Sequence, residues 1–217
     1  MINMCGRVVV SVTYDEMASY IEESYNEAQF HVDYRLPRYN VSPSDTLVSL
    51  IYDGVKFRAG LLKWGYQSNN QMVPLINARA ETIQAKPIFK SSFYHRRCLI
   101  LVNGFYEWKK TPEGKTPYRF FLKDQSIFAL AGIYIGSSDT NYTCAIITTN
   151  ANNTMKPIHD RMPVILSLED SKIWLQATNS EQLESLLHPF CDDLLIHPAN
   201  HKVNNPTFDQ IECLSIN

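Results

Sequence analysis

The chain has 217 residues, of which 45% are hydrophobic, and a formal net charge of −2 at pH 7. This length and composition predict one domain over residues 1–217, and the near-neutral total gives no global sign of a nucleic-acid-binding protein. The total hides an asymmetry, because residues 1–165 carry 18 basic and 14 acidic side chains, whereas the remainder carries two and eight. The composition therefore permits a basic groove for single-stranded nucleic acid without requiring one.

The first half of the chain alternates strand and helix signals. "RVVVSV" is typical of a β-branched strand, and Thr13 and Glu16 have the spacing of a capping box that opens an amphipathic helix to about Ala28. The stretch "LVSLIYDGVKFRAGLLKWG" predicts two strands around an Asp53-Gly54 turn, which is a strong hairpin signal.

The second half predicts more strands, followed by two helices. The strand segments are "CLILVNGFYEW", "YRFFL", "SIFALAGIYIG" and "YTCAIITT". Ser167 and Ser180 have the character of N-caps for two helices, in a C-terminal helical segment over residues 167–217. The fold class predicted is α+β, a single domain with a curled mixed sheet or open barrel and helices packed outside it.

The cysteine and histidine patterns bear on the cellular compartment and on metals. An odd number of widely spaced cysteines does not form a disulfide framework, so we expect a cytoplasmic protein. No pair of histidines or cysteines has metal-ligand spacing, so we expect no metal. The apolar run at Val8–Val12 is too short for a signal sequence or a membrane span. The five cysteines are Cys5, Cys98, Cys144, Cys191 and Cys213.

Five segments hold polar residues where a core would favour apolar ones: "CGR", "RYNVSP", "INARAET", "NGFYEW" and "IHDRMP". Each has an ordinary interpretation when it is taken alone. Cys5 is then a small buried residue and His159 a structural histidine. Asn77 and Arg79 would cap a turn, and Arg38 would order a loop.

Glu107 is harder to explain as a structural residue. On a strand it shares a face with Phe105, and its neighbours are Tyr106 and Trp108. Desolvation among aromatic side chains would raise the pKa of its carboxyl group and suit it to general acid-base chemistry. The alternative is a salt bridge to an arginine.

The order and spacing of seven motifs resemble the SRAP family, the SOS-response-associated peptidase-like proteins that crosslink to abasic sites in single-stranded DNA. The resemblance runs from Met4 to Leu166 and implies an SRAP-like fold with a motif-bearing core over residues 4–166. The motifs are "MCGR", "RYNVSP", "WG", "INARAET", "RRCLILVNGFYEW", "ITTNAN" and "IHDRMPVIL".

The resemblance also implies roles for particular residues. The positions that match the family's catalytic residues are Cys5, Asn77, Glu107 and His159. The positions that match its DNA contacts are Arg7, Arg38, Trp64, Arg79, Thr148 and Arg161, with Trp64 as a stacking aromatic.

The implied reaction uses an N-terminal cysteine. Its α-amine would condense with the aldehyde of an opened abasic site, and its thiolate would close a thiazolidine ring. The resemblance further implies a monomer in the DNA damage response, with AP lyase and self-processing peptidase activity. Its partner would be single-stranded DNA with abasic sites, and the reaction would need no metal or organic cofactor.

This chemistry needs a free amine on Cys5, and "MIN-M" precedes that residue. Two routes would free it: initiation at Met4 with removal of that methionine, or self-cleavage of the Met4-Cys5 bond. We expect the first route, because it needs no additional chemistry.

Two other functions remain open from the sequence. A class II glutamine amidotransferase also uses an N-terminal cysteine after "MCG", although "NGF" at Asn103 is only a faint match to its oxyanion segment. A non-catalytic reader of damaged or modified DNA is the third hypothesis.

Overall fold

The computed structural model describes residues 5–26, 28–66, 73–112, 114–124, 126–136, 142–191 and 194–215. These residues form an α+β fold, as the sequence predicts, with two sheets and four α-helices. The sequence does not predict the second sheet or the helix over residues 87–95. The expectations about the leader fall on residues 1–4, which lie outside the described residues. No helix in the described ranges is both long and apolar enough to cross a membrane.

Strands make up most of the fold, and several are short. In chain order the strands are β1 (Val8–Val10), β2 (Arg38–Val41), β3 (Thr46–Tyr52), β4 (Phe57–Trp64), β5 (Asn77–Arg79), β6 (Arg97–Val102), β7 (Gly104–Thr111), β8 (Gly114–Leu122), β9 (Phe128–Ile135), β10 (Thr143–Asn150), β11 (Arg161–Pro163), β12 (Ile165–Leu166) and β13 (Leu194–Pro198).

The larger sheet is ring-like and mixed. Its strands follow the order β11-β10-β4-β3-β6-β9-β12, and a further pairing of β10 with β9 joins the two sides of the ring. β10 pairs parallel with β4 and β5, whereas its other pairings are antiparallel. The expected curled mixed sheet is therefore confirmed.

The smaller sheet is antiparallel, in the order β13-β8-β7-β1-β2. The sequence predicts a single strand across "CLILVNGFYEW", and this is wrong, because Asn103 separates β6 in one sheet from β7 in the other. The Asn103 side chain accepts from the Ser11 N–H and donates to the Ser11 hydroxyl, both at 2.8 Å. These bonds hold the chain where it passes between the sheets.

Four α-helices cover the sheets: α1 (Tyr14–Ser24), α2 (Pro87–His95), α3 (Leu168–Gln176) and α4 (Ser180–Ser185). The capping box of α1 is present, and Ser167 caps α3. α1 stops before the predicted end because Asn26 adopts a positive φ of 52°. The N-cap of α4 is Asn179 and not Ser180, because the Asn179 side chain accepts from the Glu181 N–H.

The C-terminal segment is less helical than predicted. After α4 it forms β13, which pairs along β8, and then two short 3₁₀ turns at His201–Asn204 and Ile211–Leu214. Leu194 and Ile196 pair with β8 and extend the smaller sheet, which buries Leu194 and half-buries Ile196. These tertiary contacts favour a strand over the expected helix. Residues 199–215, which we call the tail, pack against β2 and the start of β7.

Trp64 is part of the core. It ends β4, is fully buried, and its indole N–H donates to the Ile76 carbonyl at 3.0 Å. Ile76 directly precedes β5, so this bond fixes the strand that carries Asn77 and Arg79. The ring is not accessible to a base, and we therefore assign Trp64 a structural role and not the expected stacking role.

Trp64→Phe is expected to lower the free energy of unfolding by about 2–4 kcal/mol, because it leaves the buried Ile76 carbonyl without this donor and opens a small cavity. Urea unfolding measures the change. Trp108→Phe is the matched control, since the Trp108 N–H bonds to Asn204 at an exposed position where water can replace it. An equal loss in both variants would contradict the assignment.

Candidate active site

The site is built around a hydrogen bond between the main chain of Cys5 and the side chain of Glu107. The Cys5 N–H donates to Glu107 Oε1 across 102 positions of sequence. Cys5 is fully buried and Glu107 is 3% exposed. Cys5 lies just before β1, Glu107 lies within β7, and the two strands pair with Val8 opposite Phe105. The register of the smaller sheet therefore brings the cysteine to the carboxyl group.

Cys5 has an unusual backbone and a protonated thiol. Its φ is +40°, a left-handed value that a non-glycine residue adopts only where its surroundings hold it. Burial raises the pKa of the Cys5 thiol well above its ordinary value, and the nearby charge of Glu107 raises it further. The thiol must therefore lose a proton before it can act as a nucleophile.

Glu107 is poised to exchange protons near neutral pH. Burial raises the pKa of its carboxyl group to about 7, although the N–H groups of Cys5 and Trp108 oppose this shift. The charge of Asp160 contributes to the rise. Within the described part of the chain, no arginine or lysine forms an ion pair with Glu107. The structure thus favours an acid-base group over the alternative of a salt bridge.

Glu107 lines a cavity of about 1300 Å³. The described lining holds six cationic side chains and two carboxyl groups, which gives the cavity a positive potential suited to a polyanion. The cationic residues are Arg79, Lys86, Lys109, Lys110, Lys115 and Arg161, and the acidic residues are Glu107 and Asp160.

His159 lies on the cavity wall as a neutral imidazole. Burial lowers the pKa of His159, while the charge of Asp160 works in the opposite direction. Its Nδ1 accepts the Arg161 N–H at 3.1 Å and lies 3.0 Å from Asp160 Oδ1. Only one of these contacts can be a hydrogen bond at a time, and the neutral form selects the Arg161 N–H. The ring proton then resides on Nε2, where it can be donated.

Asn77 and Thr148 reach the cavity from neighbouring parallel strands. β5 pairs with β10 so that Asn77 lies opposite Ile146 and Arg79 lies opposite Thr148. Thr148 is fully buried, and its hydroxyl has no hydrogen-bond partner among the described residues. A buried hydroxyl in this position can donate to, or accept from, a molecule that enters the cavity.

The two arginines that line the cavity differ in whether a carboxylate of the protein already pairs with the guanidinium group. Arg161 forms a bidentate pair with Glu81, with Nη2 to Oε2 at 2.8 Å, and Nη2 also donates to the Thr148 carbonyl at 2.7 Å. Arg79 is exposed on the cavity wall. Arg79 is therefore better placed for a new anionic partner than Arg161.

Arg7, Arg38 and Trp64 do not line the cavity. Arg7 donates to the side chain of Asn40 and Arg38 pairs with Asp209, so both guanidinium groups contact the protein. The structure thus brings together seven of the ten predicted site residues. They are Cys5, Asn77, Arg79, Glu107, Thr148, His159 and Arg161.

The sequence interpretation missed the lysines on the β7–β8 hairpin. Lys110 lies directly opposite Lys115, and Lys109 precedes Lys110 in β7. The signal was three lysines within seven residues beside "YEW". Lys86 and Asn204 also line the cavity, and no pattern in the sequence marked them. No group of three or more histidine, cysteine, aspartate or glutamate side chains in the described ranges could hold a metal ion.

The chain matches known proteins over most of its length. The sequence model of the SOS response associated peptidase (SRAP) family matches residues 4–206. Abasic site processing protein YoqW of Bacillus subtilis is 38% identical over 218 residues, which cover 94% of this chain and 95% of the relative. Abasic site processing protein YedK of Escherichia coli is 29% identical over 213 residues, which cover 93% and 95%.

The fold matches a solved structure as well. The X-ray crystal structure of a protein from Bacteroides thetaiotaomicron has a TM-score of 0.79 and 26% identity, and the match covers 94% of this chain and 97% of that one. The family match extends over both sheets and includes every residue that lines the cavity. The chain therefore belongs to the SOS response associated peptidase (SRAP) family.

Proposed function

We propose that this protein processes abasic sites in single-stranded DNA and forms a covalent adduct with them through Cys5. The observation that carries the proposal is the contact of the Cys5 nitrogen with the buried carboxyl group of Glu107 at a cavity rich in cationic side chains. The names of the relatives, abasic site processing proteins, support the damaged nucleotide as substrate.

The adduct would form in two steps. The Cys5 amine adds to the aldehyde of the ring-opened abasic sugar, and loss of water gives an imine. The Cys5 sulfur then adds to the imine carbon, the thiol proton passes to the nitrogen, and a five-membered thiazolidine results. In the sequence as printed, Met4 precedes Cys5, so the reaction requires either initiation at Met4 followed by removal of that methionine or self-cleavage of the Met4-Cys5 bond in the longer chain.

Glu107 would move the protons of both steps. Its ionised form accepts a proton from the Cys5 ammonium group, and its protonated form returns one to the departing hydroxyl group. Burial raises the pKa of this carboxyl group to about 7 while Cys5 lies in a peptide bond, and the freed ammonium group beside it lowers that pKa and favours the ionised, proton-accepting form. Proton transfer to the carboxylate then leaves the protonated form that the second transfer needs.

The other cavity residues would bind and orient the nucleotide. Asn77 would hold the cysteine end, and the His159 Nε2–H would donate to a sugar oxygen during ring opening. Arg79 and Arg161 would contact phosphates, and the Thr148 hydroxyl would gain a partner on binding. Strand scission from the imine and self-cleavage before Cys5, by transfer of the acyl group to the thiol, are further reactions that we include in the proposal.

Cys5→Ala is expected to abolish the adduct, because alanine has no thiol to close the ring. Intact mass after incubation with an abasic single-stranded oligonucleotide measures it, in protein whose N-terminus is residue 5. Cys191→Ala, at an exposed cysteine away from the cavity, is the control and should react as the wild type does. An adduct that survives in Cys5→Ala would refute the mechanism.

Two other results would favour the alternative functions. Hydrolysis of glutamine by the wild-type protein would support an amidotransferase. Binding of abasic DNA without a mass shift would support a non-catalytic reader of damaged DNA.

Glu107→Gln is expected to slow adduct formation about 100-fold, because an amide fills the same space but cannot exchange a proton. The wild-type rate should rise with pH to a midpoint below 7, because the free Cys5 ammonium group lowers the carboxyl pKa from the value of about 7 that it has while Cys5 lies in a peptide bond. The variant should lack this midpoint. Rapid-quench time courses across pH measure both effects.

Urea unfolding is the control for Glu107→Gln. A raised carboxyl pKa means that the folded state binds more protons than the unfolded state between pH 4.5 and 7, so wild-type stability falls as pH rises through this window. The variant should therefore be at least as stable as the wild type at pH 8. A slow variant that is also unfolded would contradict a catalytic role.

Lys115→Ala is expected to reduce the slope of log affinity against log salt by about 0.7 for undamaged single-stranded DNA, because one phosphate contact and its released counterion are lost. Fluorescence anisotropy at several salt concentrations measures the slope. Lys123→Ala is the matched control, since Lys123 lies beyond the other end of β8 and outside the cavity. Equal slopes for Lys115→Ala and the wild type would exclude this hairpin from the DNA path.

A further inference from the structure

The tail, residues 199–215, is joined to the active-site strands by a continuous set of hydrogen bonds. Its buried side chains Ala199, Val203 and Cys213 form a small apolar cluster with Val9 and Tyr106, which belong to β1 and β7. The match to the family model ends at residue 206, so residues 207–215 of the tail lie outside the matched range.

Asp209 is the main polar anchor of the tail. Its Oδ1 accepts the backbone N–H groups of Tyr39 at 2.6 Å and Asn40 at 2.8 Å. Its Oδ2 accepts from Arg38 Nε in an ion pair. β2 is the last strand of its sheet, so backbone N–H groups along this strand need partners from outside the sheet. The Asp209 carboxylate accepts two of these N–H groups and thereby holds Asn40 in place.

Asn40 links β2 to the tail and to Arg7 through its side-chain amide. It is fully buried, and its amide nitrogen donates to the carbonyls of Asn205 at 3.0 Å and Phe208 at 2.8 Å. Its amide oxygen accepts Arg7 Nη1 at 2.7 Å, and the same nitrogen of Arg7 donates to the Val203 carbonyl at 2.7 Å. The position of the Arg7 guanidinium group therefore depends on both β2 and the tail.

Arg7 in turn contacts the residues on either side of Glu107. Its carbonyl accepts the Tyr106 N–H at 2.9 Å, and its guanidinium carbon lies 5.7 Å from the centre of a Trp108 ring. The Trp108 indole N–H is held by the Asn204 side chain at 2.7 Å. The tail thus fixes the segments that begin at Cys5 and contain Glu107.

We propose that Asp209 is a positioning residue for the reaction, which acts through Asn40 and Arg7 to hold the Cys5 nitrogen against the Glu107 carboxyl group. The inference rests on the proposed function and extends it to a residue that does not touch the substrate cavity. Reactions between positioned groups are sensitive to displacements of about 1 Å, so a loosened tail lowers the rate without removing any reacting atom.

Asp209→Asn keeps the size of the side chain but removes the charge that pairs with Arg38. We expect the rate constant of adduct formation at saturating abasic DNA to fall about ten-fold, while the affinity for undamaged single-stranded DNA stays within about two-fold of the wild type. Entry of water near Glu107 should also move the pH midpoint of the rate below the wild-type value. Time courses, anisotropy and a pH series on the full chain with residue 5 at its N-terminus measure these three quantities.

Asp53→Asn is the matched control. Asp53 accepts two backbone N–H groups, from Val55 and Lys56, and an Arg58 Nε, which is nearly the same set of donors as at Asp209. It lies in the β3–β4 turn and does not line the cavity. It should react at the wild-type rate with the wild-type pH midpoint.

The outcomes separate the inference from the proposed function. A wild-type protein that forms no adduct refutes the proposed function, whereas a normal rate and midpoint in folded Asp209→Asn refute the positioning role alone. A rate and a DNA affinity that fall by the same factor also refute it. If Asp209→Asn unfolds at the assay temperature, Asp209→Glu replaces it, since it keeps the charge but displaces the acceptor, and a wild-type rate in that variant overturns the inference.

Discussion

The burial of the Glu107 carboxyl group is the constraint on which the site depends. A carboxyl group that is 3% exposed is unfavourable as an anion, and the structure holds it with the main-chain N–H of Cys5 and not with a cation. The group therefore remains near the midpoint of its ionisation. An arginine in contact with it would stabilise the anion and, because an arginine stays protonated, would have no proton to give, whereas the Cys5 ammonium group of the proposed reaction has one. Its aromatic neighbours on β7 help to bury the carboxyl group, and the register of β1 against β7 places the Cys5 N–H beside it.

Three arginines of the chain have charges that are already taken up by protein groups. Arg7 and Arg38 are taken up by Asn40, Val203 and Asp209, and Arg161 is paired with Glu81. The hairpin lysines, by contrast, extend toward solvent. Asp209 of the C-terminal region therefore neutralises Arg38, while the cavity wall carries six cationic side chains and two carboxyl groups.

The sequence predicts the N-caps of α1 and α3, the Asp53-Gly54 hairpin and most strands, because these depend on local patterns, whereas the N-cap of α4 lies one residue before the predicted one. The motifs also identify Cys5, Asn77, Glu107 and His159, and the structure places the last three on one cavity with Cys5 bonded to Glu107. Local patterns do not predict features that depend on contacts between residues distant in the sequence. Trp64 matches a stacking position but is buried on Ile76, and the β6–β7 division depends on Ser11, which is 92 positions from Asn103. The contact of Asp209 with β2 has no local signal either.

The separations along the chain have a consequence for folding. The Cys5–Glu107 contact spans 102 positions and the Arg38–Asp209 contact spans 171. Contacts that close such long loops carry a large entropic penalty and slow folding, so they form after the local hairpins. Cys5 consequently contacts Glu107 only in the late stages of folding. In a partly folded chain the Cys5 thiol is exposed and has the ordinary, lower pKa of a free cysteine, so completion of the two sheets protects this thiol from oxidants and electrophiles in solution.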